Sequence, residues 1–341
     1  MKFSSLLVLV LSITSYSFGQ SADLDPYFFT TQSRLYPNQQ IPAEKRTYEV
    51  RETNRTNVEF NLQNDVKVNG FTKSTTPFLT ITVSFPFALA MGDIVVESIT
   101  DPNVANGKLY TAKRAFSADG RVTLECKEID YKHYDLTNYA RAFYSKQYNN
   151  EKQARDEAQA LSNEWLSTAS TELKNFAAAK ANYYANANFG FCGLETKARL
   201  YLLESKKHPE FENYRKQFQV VLNAFASVKF DSLPSDMEAR LQPAISYFES
   251  IPTQYATDDK KHKKIRYSAY YNLMKIYYHL DNYEKAASYA DLLIKNDFDE
   301  KDGKKLLELI EEMKALMKKF SQSNNHFTLP GETGYMLYRR E

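Results

Sequence analysis

Glycine is scarce in this chain. It accounts for 10 of the 341 residues, or about 3%, whereas average usage is about 7%. Glycine supplies the positive φ of tight turns and the close backbone approach of phosphate-binding loops. Its scarcity therefore argues against nucleotide-binding folds and favours long helices with short connections. The formal net charge is +2, from 44 Lys and Arg against 42 Asp and Glu. This balance argues against a nucleic-acid-binding protein, whose binding domain is usually strongly basic.

Motifs of common catalytic and cofactor sites are missing as well. The sequence contains no GxGxxG, GxxxxGK[ST], HExxH, GxSxG or CxxC, each of which marks a specific site geometry. None of its five histidines stands four residues from another, so a helical pair of metal-binding histidines is absent. We therefore expect no cofactor, no metal site and a non-enzymatic protein, although an active site of dispersed residues stays open.

The first residues have the features of a cleaved export signal. Lys2 precedes an apolar run at residues 6–13, and Ser17-Phe18-Gly19 places small residues before a cut at Gln20, as signal peptides do. The alternative is a membrane anchor, but a bilayer span needs about 20 apolar residues. We expect residues 1–19 to be removed on export to the periplasm or the outer-membrane surface of a Gram-negative bacterium. No later run is long enough to span a membrane.

The chain has two cysteines, Cys126 and Cys192. In an oxidising compartment they could form one disulfide that ties the two halves of the chain together. Both could equally be buried free thiols, since free cysteine is among the most buried residue types. The sequence leaves these two alternatives open.

The front of the chain has the period of β-strands. Residues 20–44 contain three prolines and are interpreted as an irregular N-terminal arm. Residues 79–85 alternate apolar and hydroxyl side chains, which is typical of a half-buried strand. Residues 109–116 and 122–126 flank Asp119-Gly120, a pair that favours a hairpin turn. We therefore predict a small antiparallel β domain over residues 45–135.

The period changes near residue 149. Apolar residues then recur every three or four positions up to residue 189, which predicts one long amphipathic helix. Further helices are predicted at residues 195–205, 209–228, 235–251, 264–280, 283–295 and 304–320. The predicted fold class is α+β, with the small antiparallel β domain followed by an all-α array of helix hairpins over residues 149–320. Residues 321–341 are expected to form an extended tail.

Residues 270–298 resemble one unit of a tetratricopeptide repeat. Tyr270, Leu273 and Tyr277 occupy the large positions of the first helix of such a unit, and Ala286 and Ala290 supply the small positions of the second. Residues 244–251 are similar to the second helix of a preceding unit. With a weaker match at 200–225, the resemblance covers about 100 residues, counted over units of the usual repeat length.

The resemblance implies protein–protein recognition, because stacked helix hairpins form a groove that holds a peptide or a partner helix. The residues of the first helix that would face the groove are Tyr271, Lys275, Tyr278 and His279. A cation among aromatic rings suits an acidic or aromatic segment of another envelope protein. The alternative is that other parts of the chain cover this face.

A second candidate function is the binding or processing of surface glycans. It depends on the high aromatic content and on a tyrosine-rich segment that could stack against sugar rings or, alternatively, seal a domain interface. This segment contains Tyr131, His133, Tyr134, Tyr139, Tyr144 and Tyr148.

Overall fold

We describe the protein from a computed structural model, which covers residues 22–54, 60–105, 107–136 and 139–338. The predicted signal peptide, residues 1–19, lies outside the described residues. The strands are β1 (Leu24–Leu35), β2 (Thr47–Asn54), β3 (Thr72–Lys73), β4 (Leu79–Phe85), β5 (Ala90–Thr100), β6 (Lys108–Ala118), β7 (Arg121–Cys126), β8 (Ile129–Asp135), β9 (Tyr139–Tyr144), β10 (Cys192–Leu203) and β11 (Met336–Tyr338). The helices are α1 (Glu151–Asn188), α2 (Phe211–Phe225), α3 (Met237–Gln254), α4 (Lys260–His279), α5 (Tyr283–Lys295) and α6 (Lys301–Lys319).

The described strands form three sheets with the orders β1-β10-β11, β3-β2-β4-β7-β8 and β5-β6-β9. In the five-stranded sheet, β2 runs parallel to both β3 and β4, whereas β4, β7 and β8 are antiparallel neighbours. The sheet is therefore mixed, with two parallel pairs, β2–β3 and β2–β4.

The chain divides into two compact units. The sheet unit contains residues 32–195, 230–232 and 316–338, and the helical unit contains residues 22–31, 196–229 and 233–315, each within the described ranges. Strands β1 and β10 and helix α6 contribute residues to both units. The candidate site described below belongs to the helical unit.

The core of the sheet unit is built on β4. Its residues alternate between buried and half-buried, and Leu79, Ile81, Val83 and Phe85 have no exposed surface. The predicted strand at 79–85 is confirmed with the same bounds. The ring of Phe60 stacks on Phe85 with 4.8 Å between centroids, which closes one end of this core.

The long predicted helix is also confirmed, as α1, whose 38 residues lie in the sheet unit. Asn150 caps its first turn by accepting a hydrogen bond from the backbone N–H of Lys152 at 2.7 Å, which satisfies one of the unpaired donors of that turn. Its buried face is rich in alanine, so α1 can approach β4, β5, β6, β7 and β9 closely. The helix and the strands therefore share one hydrophobic core.

The α+β class holds, but the prediction of a small antiparallel β domain followed by an all-α hairpin array is wrong. The strands are numerous and lie in three sheets, two of which contain parallel pairs. Helix α1 completes the core of the sheet unit instead of starting an array. The predicted helix at 195–205 is part of strand β10, so a strand interrupts the helical region.

The predicted hairpin around Asp119-Gly120 is wrong too. Strand β6 pairs with β5 and β9, whereas β7 pairs with β4 and β8, so the two strands belong to different sheets. A Cβ at Gly120 would lie 2.5 Å from a ring carbon of Phe85. Glycine is therefore needed there for close packing as the chain passes from one sheet to the other.

In the helical unit, α4 and α5 form a helix hairpin. Ala286 and Ala290 of α5 are fully buried, and small side chains let two helices approach each other. Asp281 in the connection has a φ of +58°, and the side chain of Asn282 accepts a hydrogen bond from the backbone N–H of Lys285. The hairpin is thus observed, while its relation to tetratricopeptide repeats stays a prediction.

In the part of the chain that the structure describes, no helix combines the length and the hydrophobicity that crossing a bilayer requires.

Candidate functional site

A group of polar and aromatic side chains lies on one face of α4 in the helical unit, and we call it the Arg199 cluster. Helix α4 contributes Tyr267, Tyr271 and Lys275, which are spaced by four residues and therefore share one helix face. Strand β10 contributes Arg199 and Tyr201, which are two residues apart and share one strand face. Asp302, in the first turn of α6, completes the cluster.

A buried asparagine holds α4 against β10. The side chain of Asn272, which has no exposed surface, accepts a hydrogen bond from the backbone N–H of Tyr201 at 2.8 Å. Its amide group donates to the backbone carbonyl of Tyr201 at 2.9 Å. These two bonds fix the distance and register between strand and helix, and so position Arg199 over α4.

Arg199 is the centre of the hydrogen bonding. One terminal nitrogen donates to both carboxylate oxygens of Asp302 at 3.0 Å, and Nε donates to the hydroxyl of Tyr271 at 2.8 Å. Tyr267 donates a further hydrogen bond of 2.6 Å to Asp302. The guanidinium also lies over the rings of Tyr201 and Tyr271, 5.2 and 5.0 Å from their centroids, within the range of a cation–π contact.

These contacts fix the charge state of the cluster. Burial raises the pKa of Tyr267, and the bond to Asp302 raises it further. Burial also raises the pKa of Tyr271 to about 12, although Arg199 opposes the shift. Burial lowers the pKa of Arg199, but the bond to Tyr271 and the neighbouring groups outweigh it, so the net shift is upward. At neutral pH both tyrosines are neutral, and Arg199 and Asp302 compensate each other.

Lys275 is the uncompensated charge of the cluster. Its side chain is half-buried, and among the described residues its Nζ makes no hydrogen bond or ion pair. It lies 5.4 Å from the ring centroid of Tyr278. The pKa of Lys275 is lowered to about 8, mainly by burial and also by the charges of Arg199 and Lys305, while Asp302 opposes the shift. The ammonium therefore lacks an anionic partner of its own.

The four residues that the sequence assigned to a groove form a continuous row along α4. Tyr271 and Lys275 belong to the Arg199 cluster, and Tyr278 adjoins Lys275 and meets the ring of Tyr283 edge-on at 5.6 Å. His279 meets the ring of Tyr278 edge-on at 5.3 Å and also packs near Phe29 and Phe225, at 6.2 and 6.1 Å. The structure thus places the four residues in one chain of contacts, in which His279 is at the end away from Arg199.

Sequence reasoning missed Arg199, Tyr201 and Asp302. The first two lie in a segment that was predicted to be a helix, although Ala198, Leu200 and Leu202 are buried every second residue, which is the period of a strand. Asp302 lies in the first turn of α6, where an acidic residue is common. Only the fold shows that its carboxylate is paired with Arg199, 103 positions away.

The two cysteines are both free and buried, so the disulfide that the sequence left open is not formed. Cys126 ends β7, where it pairs with Leu79 of β4, and Cys192 begins β10 in a different sheet. Burial raises the pKa of the Cys192 thiol to about 12, so this thiol is protonated at neutral pH.

The tyrosine-rich segment lies within the sheet unit. Tyr134 stacks on Tyr184 of α1 with 4.1 Å between centroids, and Tyr139 donates a 2.8 Å hydrogen bond to the backbone carbonyl of Ala169. Tyr144 is more than half exposed, at 55%, and Tyr148 pairs through its backbone with Tyr110. Tyr134 and Tyr139 therefore support α1.

Across the described ranges, no three or more His, Cys, Asp or Glu side chains are placed to hold a metal ion. No protein-family model matches the chain, and no curated protein is significantly similar to it.

Proposed function

We propose that this protein is a non-enzymatic binding module that holds an acidic segment of another protein at Lys275 and Tyr278. The observation that carries the proposal is the half-buried ammonium of Lys275, which lacks a hydrogen-bond acceptor among the described residues. A carboxylate of a partner would supply that acceptor.

The surroundings of Lys275 suit a carboxylate better than a neutral group. Arg199 and Lys305 add positive charge near the ammonium, while Arg199 is already held by Asp302 and Tyr271. The site is therefore preorganised, and an incoming anion does not need to order it. The ring of Tyr278 beside the ammonium offers an apolar surface for an aliphatic or aromatic neighbour of the carboxylate.

The class of partner follows from the sequence. The predicted export signal at residues 1–19 points to a protein of the bacterial envelope as the partner, and the net charge of +2 does not favour nucleic acid. The chain would then act as a scaffold or recognition module in that compartment.

The experiment measures binding of a short fluorescein-labelled peptide, made of glutamates around one tyrosine, by fluorescence anisotropy. Lys275→Met is expected to weaken binding by about tenfold or more, because a hydrogen bond to a charged group contributes about 1.5–3 kcal/mol. Lys295→Met, which removes an exposed lysine of α5 in the same unit, is the matched control and is expected to change affinity little.

A second measurement uses pH. Affinity for the glutamate peptide should fall between about pH 7 and pH 9.5, since the Lys275 ammonium loses its proton around its pKa of about 8. In Lys275→Met that part of the pH dependence should disappear. Equal affinities of the Lys275→Met and Lys295→Met variants would contradict the proposal, as would equal binding of a peptide with glutamine in place of glutamate.

A further inference from the structure

A polar cleft opens on the sheet unit. Its volume is about 530 Å³, within the range of about 300–1,000 Å³ that is usual for small-molecule sites. Three chain segments form it: the loop after β2, the last turns of α1, and the segment that leads into β11. Its lining includes the side chains of Asn64, Asp65, Lys67, Asn182, Thr333 and Tyr335.

Two asparagines outside the main sheets hold the walls of this cleft in place. The side chain of Asn182 donates to the backbone carbonyl of Asp65 at 2.9 Å and accepts from the backbone N–H of Lys67 at 2.8 Å. On the other wall, the carbonyl oxygen of the fully buried Asn69 side chain accepts from the backbone N–H of Thr333 at 2.7 Å and from its hydroxyl at 3.0 Å. The cleft is therefore built before any ligand enters.

Several polar groups of the cleft are available to a ligand. The side chains of Asn64 and Lys67 are exposed and make no hydrogen bond to the described part of the protein. Asp65 pairs with Lys174 at 3.1 Å, so its charge is largely compensated. Burial raises the pKa of Tyr335 to about 12, which keeps its hydroxyl protonated. The cleft thus offers donors and acceptors, with one uncompensated positive charge at Lys67.

An aromatic ring stands next to these groups. Tyr183, which follows Asn182, is 49% exposed and lies close enough to Tyr335 to influence its pKa. Its ring meets Tyr184 edge-on at 5.4 Å, and Tyr184 in turn stacks on Tyr134 at 4.1 Å. Tyr183 is therefore a supported, half-exposed aromatic surface on α1, one residue after Asn182 of the cleft wall.

We infer that this cleft binds a carbohydrate. A pyranose ring has an apolar face of C–H groups, which the face of Tyr183 can cover, and a rim of hydroxyls, each both donor and acceptor. The amide of Asn64, the amine of Lys67 and the hydroxyl of Tyr335 provide partners for such hydroxyls. A polyanion or an acidic peptide fits less well, because Lys67 is the single uncompensated positive charge among these side chains and the Asp65 carboxylate lies in the same lining.

The test is titration of the whole protein with cellotetraose, maltotetraose and chitotetraose, followed by saturation-transfer NMR and calorimetry. At least one of these sugars is expected to bind with a millimolar or lower dissociation constant. Tyr183→Ala should weaken that binding roughly three- to tenfold, as loss of an aromatic stacking contact does, and Tyr183→Phe should retain it.

The matched control is Tyr144→Ala, which removes another half-exposed tyrosine of the sheet unit and should leave sugar binding unchanged. Absence of binding by all three sugars would overturn the inference, and so would equal losses in Tyr183→Ala and Tyr144→Ala. Lys275→Met should not affect sugar binding. Failure of this inference is therefore distinguishable from failure of the proposed peptide-binding function.

Discussion

Replacing Arg34 by alanine is expected to destabilise the sheet unit by about 3–5 kcal/mol, the usual cost of removing one partner of a buried ion pair. The Arg34 side chain has no exposed surface and lies 2.8 Å from the carboxylate of Glu332. It also donates to the backbone carbonyl of Phe191 at 2.8 Å and to that of Phe327. Its guanidinium lies 4.6 Å from the ring centroid of Phe230. Alanine would leave a carboxylate and two carbonyls without these donors.

The assay is urea unfolding followed by tryptophan fluorescence. The chain has one tryptophan, Trp165, which is 7% exposed in the core that α1 shares with the strands. Its signal therefore reports the sheet unit, and the linear dependence of the unfolding free energy on urea gives the difference between variants.

The control is Arg51→Ala. Arg51 pairs with Glu49 at the surface, where its side chain is 62% exposed, so the expected loss is at most about 1 kcal/mol. Equal losses for Arg34→Ala and Arg51→Ala would refute the reasoning. A double variant, Arg34→Met with Glu332→Leu, should recover much of the stability, because it removes both buried charges together.

Two further predictions concern packing and protonation. Gly193→Ala should cost about 1–3 kcal/mol of stability, the usual cost of overpacking, because its Cβ would lie 2.4 Å from the Phe230 ring. The control in the same urea titration is Gly92→Ala, whose Cβ would have its nearest neighbour at 3.5 Å. Lys275 should cause the unfolding free energy of the helical unit to rise with pH above about 8, since the unfolded chain still binds the proton that the folded chain has lost. Thermal unfolding followed by circular dichroism at several pH values tests this. If Lys275→Met showed the same dependence of stability on pH, the prediction would be contradicted.

Local periodicity predicted part of the fold. The alternation at residues 79–85 identified β4, and the three- and four-residue spacing after residue 149 identified α1. Both signals arise within one element, because a strand or helix with one buried face must repeat apolar residues at its own period. The α4–α5 hairpin was visible for the same reason, as alanines at Ala286 and Ala290 mark the close contact between its helices.

The partners of each element could not be predicted in this way. Strands β2 and β4 pair in parallel, although β3 lies between them in the sequence. Nothing in the two segments shows which strand each one pairs with. Strand β10 was predicted to be a helix because residues such as Glu195, Leu200 and Arg199 favour helices when context is ignored. In the folded chain the pairing of β10 with its neighbours overrides this preference.

The same limit applies to the candidate site. Tyr271, Lys275 and Tyr278 share one helix face, so their proximity follows from helical spacing alone. Arg199 lies 72 residues from Tyr271, and its role follows from the contact between β10 and α4. The sequence therefore predicted that Lys275 and Tyr278 lie together. Only the fold shows that Arg199 is close enough to lower the pKa of Lys275.

Arg34 and Arg199 make a similar set of contacts with different consequences. Each guanidinium stacks on aromatic rings and pairs with a carboxylate. The Arg34 side chain is fully buried, whereas that of Arg199 is 33% exposed and has Lys275 beside it. The Arg34–Glu332 pair therefore contributes to stability. Beside the Arg199–Asp302 pair, the charge of Lys275 has no partner of its own and lies where a ligand can reach it.

This difference gives the cluster a specific electrostatic test. The carboxylate of Asp302 raises the pKa of Lys275, whereas Arg199 and Lys305 lower it. Asp302→Asn keeps an acceptor for Arg199 and Tyr267 but removes the negative charge, so the pKa of Lys275 should fall below its value of about 8. Lysine-selective ¹³C NMR titration measures this shift directly, with Asp291→Asn on the exposed face of α5 as the control. An unchanged or raised pKa of Lys275 in Asp302→Asn would mean that the two groups are not electrostatically coupled, and it would refute this account of the charges in the Arg199 cluster.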